Sequence, residues 1–381
     1  MAKFVRTSLT HYIIVILYYC KSTPILYTTF LFTNYTIKMI EVLCSGTPHQ
    51  VGLQHGEAAK EHIGRAMIFY QNLFQKSCKM NWEEVKTFAL KYQPYLEENW
   101  PKYVAEMQGV AAGAEVTYED VLALNVRTEI AFGAFNDGCT ALSWRGSRTS
   151  ILAQNWDWNT EQAENLICLK IKQEKGLSIQ MVTEAGIIGK IGLNEKGVGC
   201  TLNALKAKGV SFSKLPCHLA LRTVMESVSR AAAVATLENA GVASACHILV
   251  ADASGGTGME CSCEDIVKLE MNRDGIVTHT NHFILEHKSS VVEVVAFPDT
   301  IFRLSRINEL LNAAKEEQPS QEVVDRFLRD EMEGDGAAIC RSPGKDTLAT
   351  LFSIVMDLNK RTARVLVGRP VEPTAKMILS P

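Results

Sequence analysis

Helical text gives way to strand text over a few residues around Cys139, and any fold for this chain must accommodate that switch. From about Gly52 to Phe132 the apolar residues recur at helical intervals; Ala59, Ile63, Met67, Tyr70 and Phe74 form one stripe among charged neighbours. Asn81-Trp82-Glu83-Glu84 predicts an N-cap with acids in the first turn, opening a helix to Tyr92. Pro94 and Pro101 mark boundaries, and Thr117-Tyr118-Glu119-Asp120 predicts a capped helix to about Asn125. After Cys139, the runs Ile151–Asn155, Leu166–Lys172 and Ser178–Thr183 predict strands. Ile187–Leu193 and Val198–Leu202 predict a hairpin turned at Asn194-Glu195-Lys196-Gly197. A single long helix is predicted at His218–Ala240, then strands between His247 and His279, and helices at Ile301–Glu316 and Gln321–Glu331. A last hairpin joins Leu351–Met356 to Ala363–Val367. This order predicts an α+β fold, two sheets packed between helical layers in one domain.

Composition narrows the function. The 381 residues are 47% hydrophobic and 21% charged, enough for a large core and too apolar for intrinsic disorder. With 39 basic against 42 acidic residues, a nucleic-acid partner held by a basic surface is not expected. No apolar run reaches the length of a membrane span, which excludes a multi-pass protein. The eleven cysteines are scattered, unlike a small secreted disulfide framework. Several, such as Cys200 and Cys246, lie in strand text, where a free thiol packs as a small hydrophobe. Cys261 and Cys263 stand near His279, His282 and His287, but the Cys-x-Cys spacing is not that of a structural zinc site, and no metal is expected.

Residues 1–38 carry Lys3, Arg6, Lys21 and Lys38 and no acid. Tyr12–Cys20 resembles the apolar part of a signal peptide without a convincing cleavage site. Joined to Pro24–Phe32, it is broken by Lys21 and Pro24 as a membrane span. Asn34-Tyr35-Thr36 is a glycosylation triplet only if secreted. Two readings stand: a targeting or anchoring segment, or residues outside a working protein that starts at Met39. A membrane partner is expected only under the first. Neither places residues 1–38 in the main fold.

Chemistry is possible at Asp137-Gly138-Cys139-Thr140. Gly138 removes side-chain crowding at the peptide bond before a thiol. In a strained turn that thiol can attack the preceding carbonyl, and hydrolysis of the thioester leaves Cys139 as an N-terminal residue. Its α-amine, with a reference pKa of about 7.7–8.0, can then serve as base for its own thiol. On its own the triplet is more often a plain turn.

The surrounding segments add to it. Cys44-Ser45-Gly46-Thr47-Pro48, Asn125-Val126-Arg127-Thr128-Glu129, Gln154-Asn155-Trp156-Asp157, Thr278-His279-Thr280-Asn281-His282 and Ala349-Thr350-Leu351-Phe352 run in family order along nearly all of 39–381. With them the chain resembles the fungal acyl-CoA:isopenicillin N acyltransferase family of N-terminal-nucleophile enzymes. The resemblance implies a four-layer αββα sandwich. It also implies a precursor cut between Gly138 and Cys139 into a mostly helical α segment, 39–138, and a β segment, 139–381, that stay together as a heterodimer. It makes Cys139 the nucleophile, Asp157 a supporter of autoproteolysis, and Asn281 an oxyanion-hole residue; Asn203 matches a position that lends backbone N–H to the oxyanion. Trp158, Ala204 and Arg341 are candidate substrate contacts, Arg341 for a carboxylate. Each has a plainer reading: turn cap for Asp157, strand-end hydrogen bonding for Asn281, packing for Trp156 and Trp158, a surface ion pair for Arg341. His55, His279 and His282 are read as structural. Three departures from the family pattern bear on specificity and compartment: Ala141 for a threonine, Asp346-Thr347-Leu348 where a substrate-proximal arginine is expected, and Leu379-Ser380-Pro381 instead of a peroxisomal tripeptide. The expectation is a cytoplasmic cysteine acyltransferase that moves an acyl group from acyl-CoA, a substrate and no resident cofactor, to an amine such as 6-aminopenicillanic acid. The alternatives are an amidohydrolase and a non-catalytic paralogue.

Overall fold

The computed structural model describes residues 5–6, 12–13, 39–131, 138–294, 298–334, 336–343 and 348–381. The remaining parts of the two apolar stretches before Met39, the Asn34 triplet, Asp137, and the Asp346-Thr347 departure lie outside the described residues. Two compact units are present, Met1–Ile37 and Lys38–Pro381. In the first, Val5–Arg6 pairs antiparallel with Tyr12–Ile13.

In the second, local signals set the helices. Thr47 and Gln50 cap each other's backbone ahead of Pro48–Ser77, with Pro48 in the first turn, where its missing N–H costs nothing. Asn81 with Glu84, and Thr117 with Asp120, form the same reciprocal box before Trp82–Ala89 and Tyr118–Asn125. Pro94 and Pro101 fall in the first turns of Gln93–Asn99 and Pro101–Ala114. Helices Pro48–Ser77 and Pro101–Ala114 interlock through glycines. A Cβ at Gly52 would lie 1.9 Å from the Glu106 carbonyl oxygen, and one at Gly109 would lie 2.2 Å from that of His49. Only glycine permits backbones this close.

An eight-stranded sheet runs in the order Ile266–Glu270, Gly255–Cys261, Cys246–Asp252, Gly199–Ala204, Ile191–Asn194, Ser178–Glu184, Leu166–Gln173, Ile40–Gly46. All its pairs are antiparallel except the last, where Ile40–Gly46 lies parallel to Leu166–Gln173. A six-stranded antiparallel sheet runs Ile276–His279, Thr140–Arg145, Ser150–Asn159, Leu348–Asp357, Thr362–Val367, Ala375–Leu379. Helices Pro48–Ser77, Cys217–Met225 and Arg230–Ala240 cover the first sheet; Pro298–Ala313 and Gln321–Leu328 cover the second. The inner faces of the sheets meet, giving four αββα layers. Gln154 ties the sheets together, its amide donating to the Leu202 carbonyl (2.6 Å) and accepting from the Leu202 N–H (3.2 Å).

Two predicted elements differ. The long helix at His218–Ala240 is two, Cys217–Met225 and Arg230–Ala240. Asn194 Nδ2 donates to the Met225 and Ser227 carbonyls at the break, and Ser229 caps the second helix. The strand expected at Ile187–Leu193 is confined to Ile191–Asn194. Gly186, at φ +89°, opens a turn in which the Ile187 N–H donates to the Glu184 carbonyl, and Lys190 turns its side chain back to Glu184. In the second unit the strands Ile40–Gly46 and Ala375–Leu379, both at sheet edges, were not anticipated.

Candidate active site

Strand Thr140–Arg145 starts one residue after Cys139, so the thiol heads an inner strand and is fully buried. Its neighbours come from far along the chain. The Cys139 N–H donates to Asn281 Oδ1 (2.8 Å). The Cys139 carbonyl accepts from Asn203 Nδ2 (3.0 Å) and Arg303 Nη1 (2.7 Å). The sulfur lies 3.9 Å from the Asp157 carbonyl oxygen. Every polar main-chain atom of the residue is held from outside its own strand.

Asn281 Oδ1 also accepts from Arg303 Nη2 (3.0 Å), while its Nδ2 donates to the Ala204 carbonyl (3.1 Å). Two donors at oxygen and one acceptor at nitrogen fix its amide orientation. Asn203 engages Cys139 through its side chain, a role separate from the backbone N–H suggested by the sequence. Asp157 lies opposite Thr350 beside a bulge between Thr350 and Phe352. Its Oδ1 accepts from Thr350 Oγ1 (2.7 Å) and its Oδ2 from Arg341 Nε (3.2 Å). Burial pushes the Asp157 carboxyl up to about 6, although Arg341 and Arg303 pull the other way. Arg341 reaches from Asp157 to Asp299, and Asp299 in turn holds Arg303 Nε (3.0 Å). The result is a chain, Asp157–Arg341–Asp299–Arg303, buried except at Arg341 and ending on Cys139 and Asn281. Arg341 thus braces two carboxylates, where the sequence suggested a substrate contact.

A second charged cluster lies close by. Glu184 takes bonds from Tyr70, Arg127 (2.8 Å) and Lys190. Burial acts to raise the Glu184 pKa, but Arg127 and Lys190 outweigh it and hold the carboxyl below the usual range. Burial pushes Lys190 down to about 8 against the pull of Glu184, and its Nζ sits 3.7 Å from the centre of the Trp156 ring. The described residues also leave a pocket walled by Trp158, Leu202, Ala204, Lys206, Ala245 and Arg127. Trp158 and Ala204 line it; Arg341 does not.

The histidines read as structural have polar partners: His55 accepts from the Gly186 N–H, His282 meets Thr300, and His279 meets Glu260, which also bonds His287. Among the described residues no group of three His, Cys, Asp or Glu side chains is arranged to hold a metal. No described helix is long and apolar enough to cross a membrane. Sequence reasoning missed Arg303, Asp299, Glu184 and Lys190. The Asp299–Arg303 spacing was visible, but i,i+4 pairs of opposite charge are common on exposed helix faces.

Two inner sheets between helical layers form an αββα sandwich of the N-terminal-nucleophile hydrolase fold type, with Cys139 just ahead of an inner strand. The sequence profile described as acyl-coenzyme A:6-aminopenicillanic acid acyl-transferase matches residues 144–372. The acyl-coenzyme A:6-aminopenicillanic-acid-acyltransferase 40 kDa form of Emericella nidulans is 36% identical over 347 residues, 90% of this chain and 96% of the relative. The chain belongs to this acyltransferase family. Among solved structures it is similar to a conjugated bile acid hydrolase variant from Clostridium perfringens (14% identity, TM-score 0.46, covering 64% of this chain and 92% of that one). It is also similar to penicillin V acylase from Agrobacterium tumefaciens (13%, 0.44, 64% and 86%).

Proposed function

We propose that this chain is a self-processing cysteine acyltransferase. The observation that carries the reading is the convergence of Asn281, Asn203 and Arg303 on Cys139, the residue after Gly138. In processing, the Cys139 sulfur attacks the Gly138 carbonyl carbon, the Gly138–Cys139 C–N bond breaks, and the thiol proton ends on the new amine. Water then hydrolyses the thioester, leaving a Gly138 carboxylate and a free Cys139. Segments 39–138 and 139–381 remain a heterodimer; Tyr70 and Arg127 of the first bond the buried Glu184 of the second, which supports this.

In turnover the α-amine takes the thiol proton, and the sulfur attacks the acyl carbon of an acyl-CoA. The coenzyme thiol leaves, and an amine such as 6-aminopenicillanic acid takes the acyl group from sulfur. The donor and acceptor are those in the relative's name. We read Asn281 as an oxyanion-hole residue through its Nδ2, since its Oδ1 accepts from the Cys139 N–H and cannot meet negative charge. The apolar wall of Trp158, Leu202, Ala204 and Ala245 suits a hydrophobic acyl group and limits water as a competing acceptor.

Intact-mass analysis of the wild type beside Cys139→Ala tests the first half: two chains are expected against one uncut chain. Phenylacetyl-CoA with 6-aminopenicillanic acid, run against simple amides, tests the second. An uncut wild type defeats the nucleophile assignment, and amide hydrolysis without transfer makes the protein an amidohydrolase.

A further inference from the structure

The Asn203 side chain has a donor's task at one end. Its Nδ2 faces two carbonyl oxygens, those of Cys139 (3.0 Å) and His279 (3.5 Å), and carbonyls only accept. The amide oxygen must therefore point the other way, and it meets His247 Nδ1 at 3.2 Å. An amide oxygen cannot donate, so the hydrogen in that contact belongs to His247. This selects the Nδ1–H tautomer and leaves Nε2 as an acceptor. Among the described residues Nε2 has no hydrogen-bond partner, and the ring is fully buried.

The ring has little freedom to turn over. It stacks on His279 with centroids 3.6 Å apart and planes 12° apart. His279 is held by Glu260 Oε1 (2.7 Å) at Nε2 and by the Thr280 carbonyl (2.8 Å) at Nδ1. Behind Nε2 lies Gly258, where even a Cβ would come within 2.6 Å. Burial, with His279 adding to it, holds the His247 pKa well below the usual imidazole value.

We infer that His247 is a positioning residue: through its Nδ1–H it fixes the Asn203 amide so that Nδ2, and not Oδ1, faces the Cys139 carbonyl. A turned amide would set two oxygens against each other and release the Cys139 carbonyl on one side, leaving Arg303 as its remaining donor while Asn281 still holds the Cys139 N–H. His247 acts only through Asn203. The inference rests on Cys139 being the nucleophile.

Two substitutions separate the donor from the ring. His247→Phe keeps a flat ring for the stack and loses the donor. His247→Asn loses the ring but carries an amide nitrogen close to where Nδ1 was. The expected result is a kcat for His247→Phe lower by about 10- to 100-fold with KM little changed, short of the loss seen when an oxyanion donor itself is removed. His247→Asn recovers most of it. A His247→Phe enzyme within about twofold of wild type, or a His247→Asn enzyme as slow as His247→Phe, overturns the inference. Nitrogen-15 histidine spectra of uncut Cys139→Ala protein provide a reading independent of activity and of the folding of either variant. A protonated Nδ1 and bare Nε2 at neutral pH are expected for His247; a neutral ring protonated at Nε2 alone, with no hydrogen on Nδ1, overturns it. If the wild type neither cuts itself nor turns over, the acyltransferase reading fails, and the tautomer spectrum still decides whether His247 orients Asn203.

Discussion

A methyl group on residue 138 would lie 2.3 Å from Nη2 of Arg341, so Gly138 leaves the space that the guanidinium fills beside the 138–139 bond. The same guanidinium holds Asp157 and Asp299. Gly138→Ala should therefore push Arg341 off both carboxylates and slow self-cleavage about 100-fold, the scale expected for a displacement near 1 Å. A time course of intact mass measures it. Because both changes act through Arg341, the Gly138→Ala/Arg341→Ala pair should be little slower than Arg341→Ala alone; additive losses would refute the shared cause.

Asp157 sets a pH window. Its folded-state pKa, near 6, lies above the unfolded value, so its contribution to stability is present at low pH and is lost as pH rises from about 4 to about 6. The ionised form is the one that accepts from both Thr350 and Arg341. Self-cleavage should rise through pH 6 as the Asp157 contribution to stability falls. The α-amine does not yet exist at that stage and cannot produce the limb. Asp157→Asn should lose the limb and cleave slowly at every pH, as read from rates across pH 4–8.

Arg303 is fully buried and serves Cys139, Asn281 and Asp299 together. Arg303→Met should cost about 3 kcal/mol in urea unfolding, at the low end for a broken buried pair because Asp299 retains Arg341. Arg303→Lys should fail to restore cleavage, since one ammonium cannot reproduce a planar fork that reaches the Cys139 carbonyl, Thr140 Oγ1, Asn281 Oδ1 and Asp299.

Glu184 neutralises two buried cations. Glu184→Gln should destabilise by about 3–5 kcal/mol, seen as a lower Tm, because Arg127 and Lys190 lose their anion. Adding Lys190→Met should recover part of the loss. Since the folded Glu184 pKa is depressed, its contribution is complete above the ordinary carboxylate range and is lost progressively as pH falls through that range and below it.

Ala204 stands on the pocket wall beside the Asn281 contact. Ala204→Leu should leave self-cleavage intact and change kcat/KM between long and short acyl donors by roughly 10-fold or more, the scale of a few methylenes in an apolar pocket. Competition between acyl-CoA chain lengths reads this directly.

Local elements were legible because their causes are local. The Asn81 and Thr117 caps, the prolines opening two helices, and the turn at Gly197 each depend on residues within four positions. The break after Met225 was hidden because the Asn194 side chain that satisfies it comes from 31 residues earlier. Ile40–Gly46 does alternate buried Val42 and Cys44 with exposed Glu41, Leu43 and Ser45, but exposed Leu43 blurs the pattern.

The sequence by itself determined where the chain changes from helix to strand, and that a glycine–cysteine bond sits at the change. It also supplied the family-ordered segments carrying Cys139, Asp157 and Asn281. Only the tertiary structure decided which side chains hold that cysteine. Asn203 is 64 residues away and Arg303 is 164, and Asp299, Arg341 and His247 act through them or beside them. Spacing along a chain reports the period of a helix or strand; it does not report which buried donor meets which acceptor. That pairing is forced once two sheets close over polar groups that no longer have water to satisfy them.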